Sequence, residues 1–186
     1  LLAVIGTHLA LGRLGIPARV EYVHDYPWRD ETGATRLAIL PHARALTDAQ
    51  CADIAAFVKN GNRLLATGLT GLYDEYHRFR PLGDFPLAEV FGARVREVGC
   101  VGSRWEMKLA DPALSLPAHL WRTEIRNDTA EIIGEHEGRV IAVRSGYGKG
   151  EAVWIPSPVA IGAKLHGCGS YTDLLARIAA PGIGQV

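Results

Sequence analysis

The sequence predicts an α/β domain with an open, largely parallel sheet and a late β-hairpin. Two buried-strand patterns, Arg36–Leu40 and Arg63–Thr67, flank a helical pattern that begins near Thr47 and ends at Gly61. A strand, a helix and a second strand in that order form a right-handed crossover unit, which places the two strands side by side and parallel. A helix followed by a strand is also predicted upstream, so we expect the sheet to extend on both sides of this unit.

The first 23 residues allow two interpretations. In one, Leu1–Gly6 is the first strand and Thr7–Leu14 is a short helix; in the other, all of Leu1–Leu14 is helical and the first strand is lost. Gly15 ends the helix in both cases, and the alternating pattern of Ala18–Val23 predicts a strand. Because the chain begins with Leu and not with Met, we expect it to be a fragment of a longer protein.

The central helix has clear start and stop signals. Thr47 can cap the free amides of the first turn, and the pair Asn60-Gly61 is typical of a helix end. Between them, apolar side chains recur at helical spacing, at Cys51, Ile54, Ala55, Phe57 and Val58. The pattern predicts a helix of about three turns with one buried face.

The second half of the chain is less regular. Pro86–Phe91 is interpreted as a short helix and Arg94–Val98 as a strand, whereas Ser103–Leu120 shows no clean period. Residues 93–128 are interpreted as an irregular insertion within one domain that spans residues 1–186. Arg139–Arg144 and Glu151–Ile155 are two short β patterns joined by a glycine-rich turn, which predicts a hairpin. Ser170–Ala180 has an apolar stripe at helical spacing, which predicts a closing amphipathic helix.

Composition excludes several classes of function. Twenty basic and twenty acidic residues cancel, and no segment concentrates positive charge, so we expect no nucleic-acid partner. No apolar run approaches the roughly 20 residues of a membrane helix, so no membrane partner is expected. The three cysteines are odd in number and far apart, which favours a reducing, cytoplasmic location over a disulfide framework.

Six runs of sequence occur in a fixed order along most of the chain. They are Leu37-Ala-Ile-Leu-Pro-His-Ala-Arg-Ala-Leu-Thr-Asp-Ala-Gln50, Ala56-Phe-Val-Lys-Asn-Gly61, Leu65-Ala-Thr-Gly68, Leu72-Tyr-Asp-Glu75, Asp84-Phe-Pro-Leu-Ala-Glu-Val-Phe-Gly92 and Tyr147-Gly-Lys-Gly-Glu-Ala-Val-Trp154. Together these runs resemble the middle domain of family 42 glycoside hydrolases, the β-galactosidase trimerisation domain.

The resemblance implies a fold, a role and a set of partners. The fold implied is a three-layer, flavodoxin-like structure of the class I glutamine amidotransferase type, with a mostly parallel sheet. The role implied is self-association, as a trimer or a dimer, of a glycoside hydrolase whose catalytic barrel lies upstream. Carbohydrate is a further candidate ligand, and no cofactor is expected.

The resemblance also raises a test for catalysis. An amidotransferase of this fold places a Cys nucleophile on the turn after a central strand, with a His and a Glu after a late strand. The matching turn, Gly68–Gly71, holds Thr70 as its only hydroxyl and contains no Cys or Ser, and no His-x-Glu follows Ile155. We therefore expect no catalytic residue and interpret the chain as a non-catalytic accessory domain.

Two groups of residues remain candidates for a ligand site or an interface. Thr70 and the loop with Tyr73, Asp74, Glu75 and His77 follow a central strand, at the edge where α/β sheets place their ligands. Neighbouring carboxylates on an extended loop do not face one substrate, which favours loop anchors or interface residues over an acid–base pair. A small-ligand-binding module without chemistry is the alternative for this loop.

His166 and Cys168 form the second group. They precede the last predicted helix, where a thiol pKa can be lowered. They leave open a small cysteine-dependent hydrolase or an amidotransferase-like enzyme. A metal site would need three or four converging ligands, and the sequence offers no such cluster, so no metal is expected.

Overall fold

The computed structural model describes residues 1–29, 35–80 and 83–180, and within them it contains five helices and seven strands. The helices are α1 (Leu2–Arg13), α2 (Asp48–Lys59), α3 (Ala88–Phe91), α4 (Val159–His166) and α5 (Gly169–Ala179). The strands are β1 (Leu37–Pro41), β2 (Arg63–Thr67), β3 (Ala93–Ala110), β4 (Ala113–Asn127), β5 (Glu131–His136), β6 (Arg139–Tyr147) and β7 (Gly150–Ile155).

The seven strands form one mixed sheet in the order β1-β2-β7-β6-β5-β3-β4. β1, β2 and β7 are parallel, whereas every other pairing is antiparallel. The predicted mostly parallel, flavodoxin-like sheet of the glutamine amidotransferase type is therefore wrong. Short connections between β3 and β4, β5 and β6, and β6 and β7 produce hairpins, since antiparallel strands are the ones that short turns can join.

The predicted crossover unit is confirmed. β1 and β2 pair in register from Leu37 opposite Arg63 to Pro41 opposite Thr67, and α2 connects them. The start of α2 is a capping box, because Thr47 Oγ1 accepts a bond from Gln50 N at 3.0 Å and Gln50 Oε1 accepts one from Thr47 N at 2.9 Å. The local signals for this unit were sufficient to predict it.

The N-terminal region follows the second of the two interpretations. α1 covers Leu2–Arg13, so the all-helical alternative is confirmed and a strand over Leu1–Gly6 is wrong. The strand predicted over Ala18–Val23 is also absent, because this segment pairs with no strand among the described residues. A strand pattern becomes a strand only where a neighbour accepts its hydrogen bonds.

Residues 93–128 are regular, so their interpretation as irregular is wrong. They contain the whole of the long hairpin of β3 and β4, whose register shifts between Val95 and Glu97, between Cys100 and Gly102, and between Gly102 and Trp105. Each shift disturbs the two-residue alternation that identifies a strand. Whether the hairpin is an insertion stays a prediction.

The predicted late hairpin and the closing helix are confirmed. β6 and β7 pair antiparallel from Val143 opposite Trp154 to Tyr147 opposite Gly150, and α5 ends at Ala179. In the described part of the chain, no helix is long and apolar enough to cross a membrane.

The sheet separates two apolar cores. On the face of α2, Trp154 is fully buried and stacks on Phe85 and Phe91, with ring centroids 5.1 and 4.7 Å away. On the other face, α1, α4 and α5 pack around Tyr171 and Met107, which are also fully buried. Helices on both faces bury the central parallel strands on both sides.

Close backbone contact fixes the position of α4 on β4. A Cβ atom on Gly162 would lie 2.1 Å from the Pro117 carbonyl oxygen and 2.6 Å from its carbon. These neighbours are backbone atoms of a paired strand, so they cannot move aside like the end of a flexible side chain.

We expect Gly162→Ala to lower the free energy of unfolding by about 1–3 kcal/mol, because the added methyl overpacks a backbone contact. Gly12→Ala is the matched control, since Gly12 lies in α1 with nothing within 4 Å of the added Cβ. That change should stabilise the protein by about 0.5–1 kcal/mol. Urea unfolding of both variants measures the difference, and equal midpoints would contradict the assigned contact.

Candidate functional site

The carboxyl ends of the three parallel strands meet at the turn after β2. Gly68 N lies 2.9 Å from Ile155 O and 3.0 Å from Ser157 O, which ties the turn to the end of β7. Thr70 is fully buried, and its Oγ1 lies 2.8 Å from Thr67 O and 3.1 Å from Leu40 O. The same oxygen accepts a hydrogen bond from Ala43 N at 3.1 Å. The hydroxyl of Thr70 therefore holds the turn together.

His42, which the sequence analysis did not single out, completes this turn. Its backbone lies in the left-handed region with φ of 64°, and its Nδ1 accepts a hydrogen bond from Leu69 N at 3.2 Å. Burial, helped by the charge of Arg44, lowers the pKa of His42 to about 4. A neutral imidazole keeps the Nδ1 lone pair that the bond from Leu69 requires.

The fit between His42 and Gly68 leaves no room for a side chain at the turn. Gly68 has φ of 63°, and a Cβ atom on it would lie 2.3 Å from His42 Nδ1 and 3.1 Å from His42 Cβ. The His42 imidazole thus excludes a side chain at position 68.

The loop that follows is closed by one carboxylate. Asp74 Oδ1 accepts hydrogen bonds from the backbone N–H groups of Tyr76 and Arg78, both at 2.9 Å, and Oδ2 accepts one from Arg78 Nε at 2.7 Å. The Asp74 carbonyl also accepts a bond from His77 N at 3.0 Å, and His77 has φ of 59°. Desolvation alone would raise the pKa of Asp74, but these hydrogen bonds outweigh it and lower the pKa.

Aromatic and arginine side chains cover the outside of this loop. The Arg44 guanidinium lies 4.5 Å from the centroid of the Tyr73 ring, which meets Phe79 edge to face at 5.3 Å. Arg78 lies 5.0 Å from the centroid of Tyr76. Tyr76 and Phe79 are 71% and 44% exposed. We call these five residues, Arg44, Tyr73, Tyr76, Arg78 and Phe79, the aromatic loop surface.

The structure brings Tyr73, Asp74, Glu75 and His77 into one loop but does not make an acid–base pair of its carboxylates. Both oxygens of Asp74 are engaged within the turn, whereas Glu75 is exposed to solvent.

His166 and Cys168 are engaged separately. His166 Nε2 lies 3.1 Å from Ser103 O and 3.4 Å from His119 Nδ1, both on the β3–β4 hairpin. Cys168 is buried at the start of α5, where its carbonyl accepts bonds from Thr172 N and Thr172 Oγ1, each at 2.8 Å. No hydrogen bond joins the imidazole and the thiol of these described residues.

Metal ligands also do not converge in the described ranges. No group of three or more His, Cys, Asp or Glu side chains there is placed to hold an ion.

Comparison with known proteins gives a family match over most of the chain. The family model of the beta-galactosidase trimerisation domain matches residues 19–181. Beta-galactosidase BbgII from Bifidobacterium bifidum is 28% identical over 193 residues, which cover 95% of this chain and 26% of that protein.

Solved structures share the fold. A catalytic mutant of Gan42B, a GH42 beta-galactosidase from G. stearothermophilus, aligns with a TM-score of 0.77 and 20% identity over 96% of this chain and 25% of that chain. The cold-adapted beta-galactosidase from Rahnella sp. R3 aligns with a TM-score of 0.75 and 22% identity over 94% of this chain and 26% of that chain. This chain thus spans about a quarter of the length of these relatives.

The lowered pKa of His42 predicts a pH dependence of stability. The folded-state pKa of about 4 lies below the unfolded value of 6.5, so the unfolded chain binds the proton first as the pH falls. Stability is therefore full above about pH 6.5 and decreases toward pH 4, by on the order of 3 kcal/mol. Urea unfolding across this range measures the loss. In His42→Asn, which keeps an acceptor and tolerates the left-handed backbone, the free energy of unfolding should lose this pH dependence. A decrease with falling pH as steep as that of the unsubstituted protein would contradict the assignment.

The closure of the loop by Asp74 predicts a second effect. In Asp74→Ala, the amide protons of Tyr76 and Arg78 lose their acceptor and should exchange with solvent faster, on the order of tenfold. Because the pKa of Asp74 is lowered in the folded state, its contribution is present above the ordinary carboxyl pKa and is lost as the pH falls through the folded-state pKa. Amide exchange read by NMR tests both effects, with Glu75→Ala as the neighbouring control that should leave both amides unchanged.

Proposed function

Because the chain belongs to the β-galactosidase trimerisation domain family, we propose that it is a non-catalytic accessory domain through which a β-galactosidase-like glycoside hydrolase self-associates as a trimer. The family model covers residues 19–181, which is most of the chain. That match carries the proposal, and the geometry of the site supports it.

The turn at the strand ends supports a role without chemistry. Thr70, the only hydroxyl between the turn glycines, has its oxygen engaged by backbone groups, and His42 fills the space beside Gly68. An enzyme of this general architecture would need a free nucleophile with a base in reach at that turn. The two polar side chains found there stabilise the loop that follows.

The aromatic loop surface supports self-association. Tyr, Trp and Arg are enriched among the residues that dominate the binding energy of protein interfaces, and Tyr and Trp bury a large area at a low cost in side-chain entropy. Asp74 accepts backbone hydrogen bonds that hold this loop, and the exposed rings of Phe79 and Tyr76 each contact a neighbour, the Tyr73 ring and the Arg78 guanidinium. Preorganised anchors of this kind lose little freedom on binding.

The lengths of the relatives indicate what else the full polypeptide contains. They are about four times as long as this chain, so we infer that a catalytic barrel lies upstream in the same polypeptide and that carbohydrate is a ligand of that barrel. The three cysteines, Cys51, Cys100 and Cys168, are all free, which supports a reducing cytoplasmic location.

Removal of the exposed rings tests the proposed interface. In the double variant Tyr76→Ser and Phe79→Ser, we expect the dissociation constant of self-association to rise by at least about tenfold, because interface anchors contribute about 2 kcal/mol or more each. Tyr22→Ser is the control, since Tyr22 is 74% exposed outside this surface. Sedimentation equilibrium over a concentration series measures the constants. A chain that is monomeric at every concentration, or equal constants for both variants, would refute the proposal.

A further inference from the structure

The symmetry of a trimer requires two different surfaces on each copy. A contact between identical patches forms across a two-fold axis and joins two copies, whereas a ring of three copies closes through a head-to-tail contact between two unlike patches. The aromatic loop surface supplies one side of such a contact. A complementary surface is therefore needed to receive it on the next copy.

Exposed apolar side chains gather in the middle of the β3–β4 hairpin. Cys100 of β3 lies opposite Trp121 of β4 and is itself exposed. Val101, Leu120 and Trp121 are between 37% and 42% exposed. Apolar side chains that are exposed singly are normal, whereas a group of neighbours indicates an interaction site. We call these four residues, Cys100, Val101, Leu120 and Trp121, the hairpin corner.

Two β-bulges shape the hairpin corner. The register shifts on both sides of Gly102, and Val101 is the extra residue of the first shift because it has no partner on β4. Leu120, opposite Gly102, has φ of 61°, which is unfavourable for a residue with a bulky side chain. Bulges redirect side chains, and a backbone held in such a conformation is typical of functional sites. The shape of this corner therefore indicates a role beyond the pairing of β3 with β4.

The hairpin corner is attached to the rest of the fold at both ends. On one side, His166 Nε2 at the end of α4 lies 3.1 Å from Ser103 O. On the other side, Thr123 Oγ1 donates a hydrogen bond to Pro156 O at 2.9 Å, and Thr123 N donates one to Ser157 Oγ at 3.2 Å. Side chains carried by a backbone that is already held lose less freedom when a partner binds.

Opposite charges lie beside the two surfaces. The side chain of Glu137 is 71% exposed, whereas that of Arg122, which pairs with it at 3.3 Å and follows Trp121, is 16% exposed. The carboxylate is therefore the member of the pair that a partner meets. The other charged side chains beside the corner pair with one another, Arg96 with Glu124, Arg104 with Glu106, and Arg139 with Glu97.

The aromatic loop surface offers the matching positive charge. Arg44 is exposed and lies over the Tyr73 ring, and it pairs with no carboxylate of the described residues. A guanidinium without a carboxylate on one surface and an exposed carboxylate on the other attract each other and orient the two surfaces.

We infer that the hairpin corner receives the aromatic loop surface of a second copy of this chain. This assignment rests on the proposed function and supplies the second half of its contact. The rings of Tyr76 and Phe79 would pack on Trp121 of the next copy, since aromatic side chains pair favourably, and Arg44 would face Glu137. Repetition of the same head-to-tail contact closes the ring of three.

Removal of the corner indole tests the assignment. In Trp121→Ser, we expect the dissociation constant of self-association to rise by at least about tenfold, because an aromatic anchor is lost. Ile132→Ser is the matched control, since Ile132 is 42% exposed on β5, outside the hairpin corner. Sedimentation equilibrium measures the constants, and urea unfolding checks that each variant is folded. Glu137→Arg, which changes an exposed side chain, is a second variant that should weaken self-association without a loss of folding.

A mixture of two defective variants distinguishes a head-to-tail contact from contacts between identical surfaces. Trp121→Ser retains its loop surface, and the double variant Tyr76→Ser and Phe79→Ser retains its hairpin corner. At a concentration where each variant alone is monomeric, we expect their mixture to form a pair with one copy of each, because one intact surface of each kind is present.

The outcomes separate this assignment from the proposed function. Self-association of Trp121→Ser and Glu137→Arg equal to that of the unsubstituted chain, or a mixture that stays monomeric, would overturn the hairpin corner as the partner surface and leave the proposed function in place. An unsubstituted chain that is monomeric at every concentration would refute both.

Discussion

Both halves of the sheet depend on the pairing of β7. On one side Trp154 lies opposite Ala66 of the parallel strand β2, and on the other it lies opposite Val143 of the antiparallel strand β6. The buried indole stacks on Phe85 and Phe91, so the same residue also anchors the core under α2. β7 is thus the last strand of the parallel part of the sheet and the first strand of its antiparallel part. On the α2 face of the sheet, both parts share one apolar core.

This junction explains the character of the strand-end turn. The end of β7 supplies the carbonyl groups of Ile155 and Ser157 to Gly68 N, and His42 and Thr70 satisfy the remaining polar groups nearby. The turn in which an α/β enzyme exposes a nucleophile is here filled by structural hydrogen bonds. The loop that follows this turn is closed in its own way, by the hydrogen bonds of Asp74. A protein surface therefore occupies the strand-end position at which α/β sheets commonly bind a ligand.

Local signals predicted much of the fold but not the direction of strand pairing. The capping box at Thr47 and Gln50 and the buried runs beside it are interactions between near neighbours, and they were visible in the sequence. The pairing of β3 with β5, which are not consecutive in the chain, depends on contacts between distant residues. The register shifts around Cys100 and at Gly134 also remove the alternation by which a strand is recognised.

The candidate site was predictable only in part for the same reason. The loop residues Tyr73 and Asp74 follow a recognisable strand, so they were found. His42 matters because its imidazole meets a glycine twenty-six residues away in the chain, and the only local sign was a histidine after the proline that ends a strand. The alternation of Ala18–Val23 is likewise a local signal, and this segment pairs with no strand among the described residues.

The fit of His42 against Gly68 has an evolutionary consequence. A serine or cysteine at position 68 would need a positive φ and would place its Cβ 2.3 Å from the imidazole, so a single mutation there is penalised whatever chemistry it introduces. Loss of His42 alone would leave Leu69 N without its acceptor. A change at position 68 is therefore tolerated only together with a change at position 42, so the two positions constrain each other as the sequence diverges.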